Sequence, residues 1–174
     1  MGGRLEQRSQ EVVHVLRGTL DRLAMRVFYW LRVEGEARNL SSTLGRRIAE
    51  CLDALLESLA RQDFTPTARF LAQEQERVSS LSPEERVLQT VALLDACERT
   101  LAEGIHSSNH TASRPEVAIT ALHSLAHQAR RHWLHLFLNH PGQPQGDQTV
   151  TFLASWGQNL EGATDLDSLV ERLF

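Results

Sequence analysis

The chain contains no lysine, and all eighteen of its basic residues are arginine. With a formal net charge of −4 and no clustered basic excess, it lacks the electrostatic footprint of a nucleic-acid partner. Dispersed arginine of this kind reads as solvated helix faces rather than phosphate recognition. Cysteine is scarce too. Cys51 and Cys97 are the only two; they form no CxxC pair and cannot build the framework of a small secreted domain. No apolar run approaches the roughly 18 residues that cross a bilayer, and the opening MGGRLEQRSQE has no apolar signal core. Leu5 and Glu6 leave the myristoylation motif incomplete behind its glycine. The expected setting is a reducing cytoplasm, with no membrane contact. There is also no βαβ alternation, no hairpin signal and no internal repeat.

What the chain does have is aliphatic residues at helical spacing. Its 174 residues suit one domain, long enough to bury about 70% of the unfolded surface without disulfide or metal. Leu16, Leu20, Leu23, Val27 and Leu31 recur at steps of four, three, four and four, which predicts a helix from about Leu5 to about Val33, weakened at Gly18. Leu44, Ile48, Leu52, Leu55 and Leu59 mark a second, ending near Gln62, with Ser41 or Ser42 as its cap. Thr65 and Pro66 read as cap and first turn of a shorter third helix through about Val78. Ser82, Pro83 and Glu85 form a capping-box signature for the fourth, striped by Val87, Val91, Leu94 and Leu101 and stopped by Gly104. Ser113, Pro115 and Glu116 repeat that logic for a fifth, with Ala118, Leu122, Leu125, Ala129 and Trp133 on one side. After PGQPQGD, a break, the DLDSLVERLF segment reads as a short amphipathic helix. The predicted fold is all-α: five main helices over residues 1–140 in a globin-like or up-down bundle, with residues 141–174 a linker and short helical extension packed on it.

Catalytic signatures are missing. The chain has no GxGxxG, Walker A loop, GxSxG elbow or kinase motif. Glu74, Glu76, Glu84 and Glu85 read as a solvated helix face, and Cys97 as a buried, inert thiol. Arg130 and Arg131 beside His132 form a weak anion motif. Seven of the eight histidines fall between His106 and His140. His123 and His127, one helical turn apart, are the pair that can share a metal ion or haem. His132 lies about 140° around the helix from His127 and cannot join them. No carboxylate sits at helical spacing to complete a site, so solvated or core-rim histidine is the competing reading. Phe28, Tyr29 and Trp30 are consecutive and cannot all face one core. With Trp133 and Phe137 they are the candidates for a dimer interface or a small pocket, core packing being the alternative for each.

One stretch carries a family likeness. Trp30, then LDALLESLARQDF, then FLAQEQERVSSLSPEERVLQTVALLDACERTL and a long closing helix follow one another between about Leu20 and about Leu138. This order resembles the N-terminal sensory domain of RsbR-type stressosome co-antagonist proteins. Asp63 after the second helix and the Ser82–Glu85 start are its most telling points. The resemblance implies a haem-free globin-like domain without catalytic residues, acting as a homodimer that passes a signal to a regulatory partner. Those proteins usually continue into a STAS domain, and the roughly thirty further residues here fit either a stand-alone relative or the sensory piece of a longer protein. The expected function is therefore a non-enzymatic signalling or sensory module of bacterial regulation with no cofactor. The alternative is a metal- or haem-binding sensor built on His123 and His127.

Overall fold

A computed structural model of the chain describes residues 10, 12–33, 43–107 and 115–138. The described residues form an all-α bundle. A helical segment over 12–17 leads into α1 (Leu20–Val33), α2 (Leu44–Arg61), α3 (Thr65–Arg77), α4 (Pro83–Ser107) and α5 (Pro115–Leu138). The proposed caps Ser41, Ser42 and Ser113, and the extension over 141–174, lie outside the described residues.

The first predicted helix is not continuous. Gly18 and Thr19 form a turn, because glycine in a helix interior gives up backbone entropy and threonine can bond locally instead. The Thr19 amide and hydroxyl both donate to the Leu16 carbonyl, each at 3.0 Å, and the Leu23 amide donates to Thr19 at 3.1 Å to open α1. The segment before the turn still packs: Val12, Val13 and Leu16 are buried, and Arg17 lies 3.2 Å from Asp53 of α2.

Two other local expectations change. Thr65 does not cap α3 but is its first residue, behind Phe64 at the cap position; Asp63 Oδ1 accepts from the Thr65 amide at 3.1 Å and hydroxyl at 2.9 Å. Those two bonds hold the Asp63 carboxyl below its ordinary range. Gln62 before it takes a left-handed backbone, φ 53°, which lets the chain leave α2. Gly104 does not stop α4, which runs on to Ser107. Gly104 is instead a contact point: a Cβ there would stand 2.8 Å from Leu16 Cδ2. The capping box forms as predicted, with Ser82 N–H donating to Glu85 Oε2 at 3.0 Å and Glu85 N–H to Ser82 Oγ at 3.3 Å.

The middle of the bundle is α4, which packs against α1, α2 and α5. Its predicted stripe is buried, but so are Leu93, Ala96, Cys97, Thr90 and Thr100, so neighbours cover it on several sides. The α2–α3 corner is fastened by a polar latch. Ser58 and Thr67 are both buried, their hydroxyls 2.8 Å apart, and the Thr67 amide donates to Ser58 Oγ at 3.1 Å. Among the described residues no helix is long and apolar enough to cross a membrane.

Candidate functional site

Consecutive residues on a helix point about 100° apart, and α1 shows what this does to an aromatic triplet. Leu23, Val27 and Leu31 face the core at 5%, 0% and 5% exposure, each burial worth about 1.5–3 kcal/mol. Tyr29 is then directed outward and is 59% exposed, while Phe28 and Trp30 fall at the two edges and are half-buried. Met25, one turn before Tyr29, is 70% exposed. Arg22, Arg26 and Arg32 are exposed around this pair. Trp30 is tied to the bundle: the Arg99 guanidinium of α4 lies 4.9 Å over its ring, and Tyr29 meets it edge-on at 5.9 Å. Arg26 lies 3.5 Å from Glu103 on the same side. The outward face of α1 is thus an apolar strip bordered by guanidinium groups and held rigid beneath.

Trp133 and Phe137 require a correction. They are 0% and 3% exposed and belong to the core, not to an interface. Their spacing of four puts both on the inner side of α5, where Leu122, Ala126 and Ala129 are also buried.

The histidines fare differently. His123 is the more exposed of the pair, 58% at its side chain, and its Nδ1 lies 2.5 Å from Glu98 Oε1 on α4. The carboxylate that α5 could not supply at helical spacing thus comes from the neighbouring helix. It is committed elsewhere: Arg130, one turn beyond His127 and 11% exposed, donates to Glu98 Oε2 and, through Nε at 2.8 Å, to Asp95 Oδ1. Burial lowers the proton affinity of Arg130, but Asp95 and Glu98 outweigh it and hold the guanidinium above its ordinary value. At Asp95 burial outweighs the pull of Arg130, and its carboxyl sits above the usual range. No group of three or more His, Cys, Asp or Glu able to hold a metal occurs among the described residues. His123 and His127 therefore have no third ligand there, and Arg130 is an ion-pair partner rather than an anion site.

Sequence reasoning missed the second ion cluster altogether. Glu74, read as solvated, is fully buried on α3. Arg47 of α2, 12% exposed, donates to its Oε1 through Nε at 2.8 Å and also through Nη2. Arg77 lies 3.7 Å from the other oxygen and 2.5 Å from Glu50. The stripe of α3 contained a clue, since Phe70, Leu71, Glu74 and Val78 share one side at steps of one, three and four. Next to this pair the two cysteines meet. Cys51 and Cys97 are free thiols, both fully buried, and burial, then the neighbouring Cys97 thiol, pushes the Cys51 thiol well up. Such thiols are inert packing groups.

A cleft of about 440 Å³ opens between α2 and α3. Its charged lining is mostly self-neutralised: Arg46 and Arg77 pair with Glu50, and Arg61 with Glu57. Set against known protein families, characterised proteins and solved structures, the chain matches none of them.

Proposed function

We propose that the chain is a non-enzymatic helical signalling module that works by protein–protein contact through the outward face of α1. One observation carries this reading: Met25 and Tyr29 stand 70% and 59% exposed on a helix whose other side is locked into the core. Exposed apolar groups rimmed by charge are how a soluble domain presents a contact site. Tyr29 brings a large, stiff contact area at low entropic cost. Trp30 and Phe28, at the edges of the strip, support it rather than form it. A second copy of the chain is the first partner to test, in line with the dimers that the stressosome likeness implies. A reducing cytoplasm, where both buried thiols stay reduced, is the compartment that fits this reading.

The test is sedimentation velocity on the full chain over a wide concentration range. Wild type is expected to self-associate, and Met25→Asp/Tyr29→Asp to remain monomeric with unchanged helicity. Both side chains are solvent-facing, so the double substitution spares the core. Equal self-association in the two proteins would remove the α1 face as the contact site. Trp30→Asp is the poorer test, because it also breaks the stack with Arg99.

A further inference from the structure

The outward face of α1 has a definite charge. Arg22 sits on one side of the Met25–Tyr29 strip and Arg32, with the exposed Asp21 beside it, on the other, at 100° per residue. Both are exposed, and neither has an ion-pair partner among the described residues. Two guanidinium groups, Arg22 and Arg32, against the one carboxylate of Asp21 leave the face net positive, which favours a partner of opposite sign. An acidic amphipathic segment supplies that sign.

The chain contains one. From Asp165 to Leu173, Leu166, Leu169, Val170 and Leu173 recur at steps of three, one and three. At helical spacing they span an arc of about 100°, with Asp165 and, about 20° from it, Arg172 at one edge, Asp167 beyond the other, and Glu171 further round on the side of Asp167. In net charge this is the inverse of α1: three carboxylates against Arg172 around one apolar strip, where α1 has Arg22 and Arg32 against Asp21 around the other. Reach is no obstacle, since the 26 residues from 139 to 164 span up to about 85–95 Å when extended.

We propose that the segment Asp165–Leu173 docks in the same chain on the outward face of α1. Its leucines cover Met25 and Tyr29, Asp165 and Asp167 meet Arg22 and Arg32, and the segment competes with any partner for that face. A nine-residue helix is too short to be stable alone. Attachment supplies the effective concentration that makes weak docking sufficient, yet leaves it displaceable. The proposal rests on the reading of α1 as the contact site and adds its regulation.

The experiment places a benzoylphenylalanine photocrosslinker at Tyr29 of the full chain and maps its products by mass spectrometry after separating monomer from dimer mass. The expected product is a monomer-mass crosslink to residues 165–173. Its yield should fall at least fivefold in Asp165→Arg/Asp167→Arg and return when Arg22→Glu/Arg32→Glu is added. A crosslink to α1 of a second copy, with none to 165–173, overturns the proposal and leaves the contact reading standing. A dimer-mass crosslink to 165–173 overturns docking within one chain. Absence of any crosslink overturns the proposal and the contact reading together. A crosslink to 165–173 that ignores both charge changes also overturns it, because the charge match is its basis.

Discussion

Removing the Arg47 side chain should cost more stability than any single surface ion pair, and the structure sets the size. Glu74 is 0% exposed and Arg47 12%. When Arg47 becomes alanine, the Glu74 carboxylate stays buried with only Arg77 nearby, 3.7 Å from its second oxygen. An uncompensated buried charge costs about 3–5 kcal/mol. Arg77 places this case at the lower end, about 3 kcal/mol, or a fall in Tm of about 6–12 °C for a domain of this size. Glu74→Gln should be milder, about 1–2 kcal/mol, because Arg47 is near enough to the surface to find water. Replacing both partners by apolar residues, Arg47→Met with Glu74→Leu, should return stability to within about 1 kcal/mol of wild type, since the desolvation cost disappears with the charges. Urea melts followed by circular dichroism, assembled as a double-mutant cycle, measure all three. The loss in Arg47→Ala should persist at high salt, because a buried pair is poorly screened. A cost below about 1 kcal/mol for Arg47→Ala, or a double variant as unstable as the summed singles, would refute the buried-pair reasoning.

Three further expectations concern other parts of the fold. Gly104→Ala should lose about 1 kcal/mol in a thermal melt, because crowding of Leu16 Cδ2 at 2.8 Å outweighs the gain in helix propensity; a stabilised variant would mean that Leu16 swings clear. Gln62→Gly should gain about 0.5 kcal/mol in urea unfolding, relieving the left-handed backbone at φ 53° for a smaller entropic cost. His132 packs edge-on against Phe64 at 5.4 Å, and burial, then His135, holds its imidazole below the ordinary value of 6.5. The unfolded chain then takes up the proton at higher pH. The stability due to neutral His132 is complete above about pH 6.5 and declines as the pH falls through the window below it. His132→Gln should flatten that part of the urea-midpoint profile, and an unchanged slope would count against it.

The capping box at Ser82 and Glu85 was legible because its two reciprocal bonds are made within four residues, and the structure holds both. The stripe of α2 was legible for a similar reason: its period of 3.6 survives whatever packs against it. Where the reading slipped, the deciding contact came from elsewhere in the chain. Gly104 looks like a stop when read locally, yet its missing side chain admits Leu16. Thr65 became the first residue of α3 rather than its cap, held by a bond to Asp63 of two residues' span, a turn chemistry easily overlooked beside a Thr-Pro pair.

The candidate site divides in the same way. Consecutive Phe28, Tyr29 and Trp30 dictated that one ring must leave the core, since 100° steps forbid otherwise. The stripe of Leu23, Val27 and Leu31 already singles out Tyr29, while packing against α4, with Arg99 over Trp30, decides how the two edge rings are held. Trp133 and Phe137 have the same composition and spacing as interface aromatics, and nothing local distinguishes the two fates; the bundle closed over them. The histidine pair shows the limit most clearly, for the carboxylate it faces is on another helix. Periodicity, caps and turns belong to the sequence because they are set by neighbours within a few bonds. Which polar group is buried, and against which opposite charge, belongs to the tertiary structure, because helices distant along the chain supply both the burial and the partner.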